Sequence, residues 1–458
     1  MKKLYIMYAL TFLVISWLQH TNNIYGQAID LNQTFNPTSP SDFMEYGSSV
    51  ATSNEMALIG AAGQNNGAGM AQILELNRET GVWENGTSVS PPTVEDGNNF
   101  GHAVALNITW GVISAPNANN GEGEVYIYQR SGTLLSATQT LAPVDSINIS
   151  SFGASVAVSD SLLVIGATGS TDTGNKGTVY LYKLIGTTWA LWQKIDASDG
   201  STADEFGGSV DVEGGYIVVG AQYKDTSPPL IVMPQVGAAY VYQYDTTTTL
   251  WNEMVILSAS DKANYDFLGH DVAITIINDQ PHVLAGAHGD DDYGIEAGSA
   301  YLFAYDGAAW TEQKIYANNI TPTGDSFGWA VDISITTAII GSPYYNGGDG
   351  AAYVFQVDPA LPSPFLLPAT ALQVDGGAQP SYANMGYSVD VDMGIAAIGA
   401  HRDLDDAYYG GAAYVYELIA KPLSFTASFA LFENGIALDW TDASTIEDGF
   451  NIYRDGVL

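Results

Sequence analysis

FGASVAVSDSLLVIGATGSTDTGNKGTVYLY, Phe152–Tyr182, carries three signals in a fixed order. An aromatic residue and a glycine open it, an apolar run ends in Gly166-Ala167, and Gly177-x-x-Tyr180-Leu181-Tyr182 closes it. The following stretch repeats the order with Phe206-Gly207, Tyr216–Ala221 (YIVVGA) and Gly237–Tyr242 (GAAYVY). Working outward, the other openers are Tyr46-Gly47, Phe100-Gly101, Leu268-Gly269, Phe327-Gly328 and Met385-Gly386. Seven units at a period of roughly 55 residues decide the fold before any propensity argument.

Each unit reads as four short strands. The opener leads into a first strand such as Ser155–Val158, and the run Leu162–Ala167 is the second. Gly-x-x-Tyr begins the third, and a Trp-bearing segment such as Trp189–Ile195, Trp251–Leu257 or Trp310–Ile315 is the fourth. The second strands lack alternation, as expected of strands covered on both faces. These features predict a β-propeller of seven blades, a ring of meanders packed face to face. A solenoid of the same repeat is the rival, and the chain ends argue against it. The seventh unit lacks an outer strand, while Gln33–Gly47 (QTFNPTSPSDFMEYG) mimics the end of unit two, Gln139–Gly153 (QTLAPVDSINISSFG). The N-terminal strand is therefore expected to complete blade seven and close the ring, leaving no exposed sheet edge.

The chain has 458 residues, no cysteine, and a formal net charge of −37. That balance excludes nucleic acid and anionic membrane surfaces as partners, since both demand Lys/Arg patches. Lys2, Lys3 and the apolar run Leu4–Leu18 read as a secretory signal cut after Gly26 or Ala28, giving a leader over 1–28 and a propeller over 29–420. No later stretch is long and apolar enough to span a membrane. The expected setting is secreted or cell-surface, of bacterial type.

Phe-Gly-x-(Ser/Ala)-Val with Gly-Ala or Gly-Ser-Pro ending the second strand resembles the FG-GAP repeat of integrin α-chain propellers and many bacterial surface proteins. The best matches are Phe152–Val156 with Gly166-Ala167, Phe206–Val210 with Gly220-Ala221, and Phe327–Val331 with Gly341-Ser342-Pro343. Integrin-type repeats place a calcium loop between strands one and two. Tight hairpins stand there instead, at Ser159-Asp160-Ser161, Glu213-Gly214-Gly215 and Thr336-Thr337, so the family's calcium sites do not carry over. Residues 421–458 resemble the opening of a fibronectin type III domain, an incomplete β-sandwich with Ile436–Trp440 and Gly449–Arg454 as strands two and three.

Acid concentrates where the 2–3 loops and the blade-to-blade crossings emerge. Asp290, Asp291, Asp292, Asp403, Asp405 and Asp406 supply the carboxylate oxygens that calcium takes, and the alternative is a solvated acidic rim. Tyr344, Tyr345, Tyr408 and Tyr409 lie in the 2–3 loops of adjacent blades six and seven, a candidate platform for a glycan or a protein. His288 and His401 both follow Gly-Ala, and His102 and His270 both follow an opening Gly, so they read as repeat copies rather than one metal site. Asp211, Asp332 and Asp390 hold equivalent places on first strands, where they line the channel or satisfy backbone groups.

Gly324-Asp325-Ser326-Phe327-Gly328 matches G-x-S-x-G but opens a propeller repeat rather than a strand-to-helix elbow. No zincin, Walker or dinucleotide motif occurs, and no carboxylate pair stands out as glycosidase-like. The sequence thus points to a non-catalytic binding or adhesion module with an extracellular protein or polysaccharide as partner. An accessory propeller of a larger secreted enzyme and a spacer in a surface fibre are the alternatives.

Overall fold

The structure, a computed structural model, describes residues 2–7, 29–37, 41–77, 80–144, 150–169, 176–225, 235–317, 324–357, 370–373, 382–403, 408–418, 424–430 and 435–441. It contains seven four-stranded antiparallel sheets, six of them simple meanders in chain order. Blade three, for example, runs Phe152–Val158, Leu162–Ala167, Thr178–Ile185 and Thr188–Ile195. In blade seven, Met385–Asp392, Ile395–Ala400 and Ala412–Leu418 are joined by Ile29–Phe35, which pairs antiparallel with Ala412–Leu418.

Seven apolar clusters hold the ring, and each lies between two consecutive blades, blade seven against blade one included. The second strand of blade three shows how one run serves two neighbours. Leu163 and Ile165 pack toward blade two, while Leu162 and Val164 pack toward blade four. Full burial on both faces explains the absent alternation.

The repeated glycines sit where backbones meet. Gly207 has φ +89, and its N–H donates to the Gly220 carbonyl of its own blade at 3.0 Å. Its own carbonyl lies 2.0 Å from where a Cβ on Gly166 of the preceding blade would stand. A side chain there would collide with backbone, so opener and second-strand glycine are one contact read from two blades. Blade seven meets blade one in the same way, through Gly399 and Gly47.

Beyond the ring, Ser424–Ala430 and Gly435–Thr441 form a hairpin whose second strand also pairs with Lys2–Met7, inside the segment read as a leader. The expected strand Gly449–Arg454 lies outside the described residues. Among the described residues, no helix is long and apolar enough to cross a membrane.

Candidate functional site

The 2–3 loops and the crossings share one face of the ring, and the third residue after each Gly-Ala holds a common backbone position there. Lys224, Asp290 and Asp403 each donate N–H to that alanine's carbonyl and accept at their own carbonyl from the glycine of Gly-x-x-Tyr. This places the Asp290 and Asp403 side chains inward. Asp290 is buried and accepts from Tyr301 Oη at 2.8 Å; Asp403 is buried and accepts from Tyr414 Oη at 3.1 Å. The tyrosine of Gly-x-x-Tyr is thus a buried ring with a polar tip that reaches the loop.

Lys314 fills the Asp290–Asp292 loop. Its Nζ lies 2.7 Å from Asp290, 2.6 Å from Asp292 and 2.9 Å from Asp261. Burial alone would lower the lysine pKa, but these carboxylates outweigh it and raise it. Asp291 stays exposed, and Asp405 and Asp406 lie outside the described residues. Among the described residues, no three His, Asp or Glu side chains gather as a metal-holding group. Several crossing acids also turn inward: Asp204, Asp266 and Asp325 are buried, and Asp204 closes a turn by accepting the Ser201 N–H at 2.7 Å.

The tyrosines divide. Tyr345 packs inward on the core between blades five and six, with its ring 6.5 Å from Tyr353, so it does not form a platform. Tyr344 is half-buried, edge-on to Trp329 at 5.6 Å. Tyr408 is 54% exposed and contacts Tyr409 at 4.3 Å and Phe43 at 5.4 Å, with Arg402 over the Tyr409 ring.

A second cluster escapes a motif search. The residue after each opening glycine stands at the channel mouth, and in blades five, six and seven it is His270, Trp329 and Tyr387. Trp329 lies 4.5 Å from His270, 4.8 Å from His288 and 5.6 Å from Tyr387, which packs 3.7 Å from His401. Blade two places His102 at that position and blades three, four and one place Ala154, Gly208 and Ser48, so adjacent blades supply consecutive rings at five, six and seven. Burial lowers the pKa of His270 to about 4 and of His288 and His401 to about 3, which keeps all three neutral at neutral pH. The Trp329 carbonyl 2.8 Å from His270 Nδ1 places the proton there and leaves Nε2 as acceptor. Lining up the seven openers would have exposed this wall; reading each histidine beside its own motif did not.

Asp211, Asp332 and Asp390 do both things expected of them. They line the channel half-buried, and each accepts a backbone N–H from the next blade: Ile274 at 2.7 Å, Val391 at 2.6 Å and Thr52 at 2.7 Å. Ser326 is buried at φ +51 and leads into strand Val331–Ile333 rather than a helix.

Comparison with protein families matches residues 136–182, 189–242, 251–303 and 310–355 to the FG-GAP repeat. The chain carries FG-GAP repeats. Each matched stretch begins in the outer strand of one blade and ends in the third strand of the next, so the FG-GAP unit is offset by one strand from the blade. FG-GAP propellers are typical binding or adhesion modules. No curated protein matches the sequence.

Proposed function

We propose that this chain is an exported, non-catalytic binding module of bacterial surface type that engages its ligand through the loop face over blades four to seven and one. One observation carries the reading. The strongly exposed aromatic side chains, Phe43, Tyr265, Tyr293, Tyr316, Tyr382 and Tyr408, all lie on this face and in this sector, whereas the exposed large residues of the opposite face are aliphatic, such as Leu134, Ile185 and Met393. These rings pack on one another at the surface, Tyr293 on Tyr316 at 4.0 Å and Phe43 against Tyr408 at 5.4 Å, and such exposed aromatic patches are recognition surfaces. The loop carboxylates turned inward to Tyr301, Tyr414 and Lys314 build the loops and leave the rings to make contact.

The same proposal reads Ile29–Phe35 as the latch of the ring. The one-strand offset of the matched repeats supports it, because Ile29–Phe35 precedes blade one as each outer strand precedes the next unit. It reads residues 1–28 as an export leader and the C-terminal hairpin as the start of a fibronectin type III module.

The test uses labelled protein against immobilised extracellular proteins and polysaccharides. A Phe43→Ala/Tyr382→Ala/Tyr408→Ala variant is expected to lose capture while melting at the wild-type temperature. Wild-type capture by that variant would overturn the reading.

A further inference from the structure

Resting on that reading of the loop face, we infer that the ligand is an uncharged polysaccharide lying across the arc of rings, with Trp329 at its inner side. Three features select this chemistry. First, exposed rings recur in successive blades from Tyr265 and Tyr293 through Tyr316 and Tyr382 to Tyr408 and Phe43. A repeating polymer meets several such rings at once, whereas a single sugar meets one, and linked weak contacts gain by effective concentration. Second, the polar groups beside the rings suit hydroxyls. Asp42, Asp291 and Asn346 are exposed between them, and the neutral imidazoles at the mouth can both donate and accept.

Third, charge rejects the alternatives. A formal charge of −37 repels uronic or sulfated chains; in the sector Lys314 is held by three aspartates and Arg402 lies over Tyr409, while the exposed Lys262 donates to Ser258 Oγ at 3.2 Å. A basic protein would seek free carboxylates, yet Asp204, Asp266, Asp290, Asp325 and Asp403 are buried. Asp42, Asp291 and Glu296 remain outward among the rings, and the polylysine probe tests whether they draw a basic partner. Aromatic faces of amphipathic side chains suit the apolar C–H faces of sugar rings.

The experiment is affinity electrophoresis in native gels, where this acidic chain runs strongly to the anode. The gels contain laminarin, xyloglucan or galactomannan as neutral probes, polygalacturonate as the anionic one and chitosan as the cationic one, with polylysine beads in a parallel capture assay. The expected result is retardation by at least one neutral polymer and none by polygalacturonate. Tyr382→Ala/Tyr408→Ala is expected to weaken that binding about tenfold or more. Trp329→Phe, which keeps a ring in the half-buried site, is expected to weaken it less than Trp329→Ala. Both tyrosines are more than half exposed, so their loss leaves the fold intact. Retardation by chitosan alone, or polylysine capture without retardation by any neutral polymer, would overturn the inference. If that capture disappears in the tyrosine variant, the binding face survives with a different ligand. Capture of every probe unchanged by the variant would overturn the binding face as well.

Discussion

At the scale of single residues, part of the acid of the loop face is turned inward, at Asp204, Asp266, Asp290, Asp325 and Asp403. Asp290 is nearly inaccessible, and its oxygens meet a tyrosine hydroxyl and a lysine ammonium. A buried carboxylate that loses its cation keeps its desolvation cost without its attraction, which destabilises by about 3–5 kcal/mol. Lys314→Met is therefore expected to lower unfolding free energy by about that amount in urea titrations. The double variant Lys314→Met/Asp290→Asn is expected to recover most of it, because the charges left without a cation, Asp261 and Asp292, are exposed to water. The ammonium also occupies the place a calcium ion would take between Asp290 and Asp292, so a chelator is expected to leave the wild-type melting midpoint unchanged. A midpoint that falls with chelator would return calcium to the Asp290–Asp292 or Asp403 loops.

At the scale of elements, the glycines do the joining. A Cβ on Gly286 would stand 1.9 Å from the carbonyl oxygen of Gly328, whose own N–H donates to the Gly341 carbonyl of blade six at 3.0 Å. Nothing flexible is there to yield, so Gly286→Ala is expected to cost at least the upper end of ordinary overpacking, about 3 kcal/mol. Gly81→Ala is the control, because its Cβ would meet nothing, and its φ of +68 leaves only backbone strain. Equal losses for the two variants in urea titrations would refute the blade-contact account. This contact explains what was legible. Backbone pressed on backbone admits only glycine, so blade joints leave a mark in the letters, and the period, strand order and ring followed from them. The direction of a side chain leaves no such mark. Asp290-Asp291-Asp292 reads alike whether it faces water or Tyr301, and the partners that decide lie well along the chain. The ring wall at the mouth was hidden for another reason: each blade supplies one or two residues, and only adjacency of blades five, six and seven assembles them.

At the scale of the whole molecule, the channel couples folding to pH. Burial pushes Asp211 and Asp390 up to about 7, while Asp332 rises well above the usual carboxylate range through burial and the charges of Asp390 and Asp211. The three come from blades four, seven and six, so their mutual repulsion acts across the ring. In an unfolded chain an aspartate titrates near 3.9. Between about pH 4 and 7 the folded ring therefore binds more protons than the unfolded chain, and this contribution to stability falls as pH rises through that window. His270, His288 and His401 act in the opposite sense. Their folded values are lowered to about 4, 3 and 3, so their contribution is full above about 6.5 and is lost as pH falls toward 4. Wild-type pH dependence mixes the two, and one substitution separates them. Asp332→Asn keeps an oxygen to accept the Val391 N–H and removes the need to ionise. Relative to wild type it is expected to raise the melting temperature more at pH 8 than at pH 5, because the loss from the raised carboxyl begins near the unfolded value and grows with pH. The same shift at both pH values would show that the side chain acts through packing alone, and would remove the channel carboxylates from the pH response.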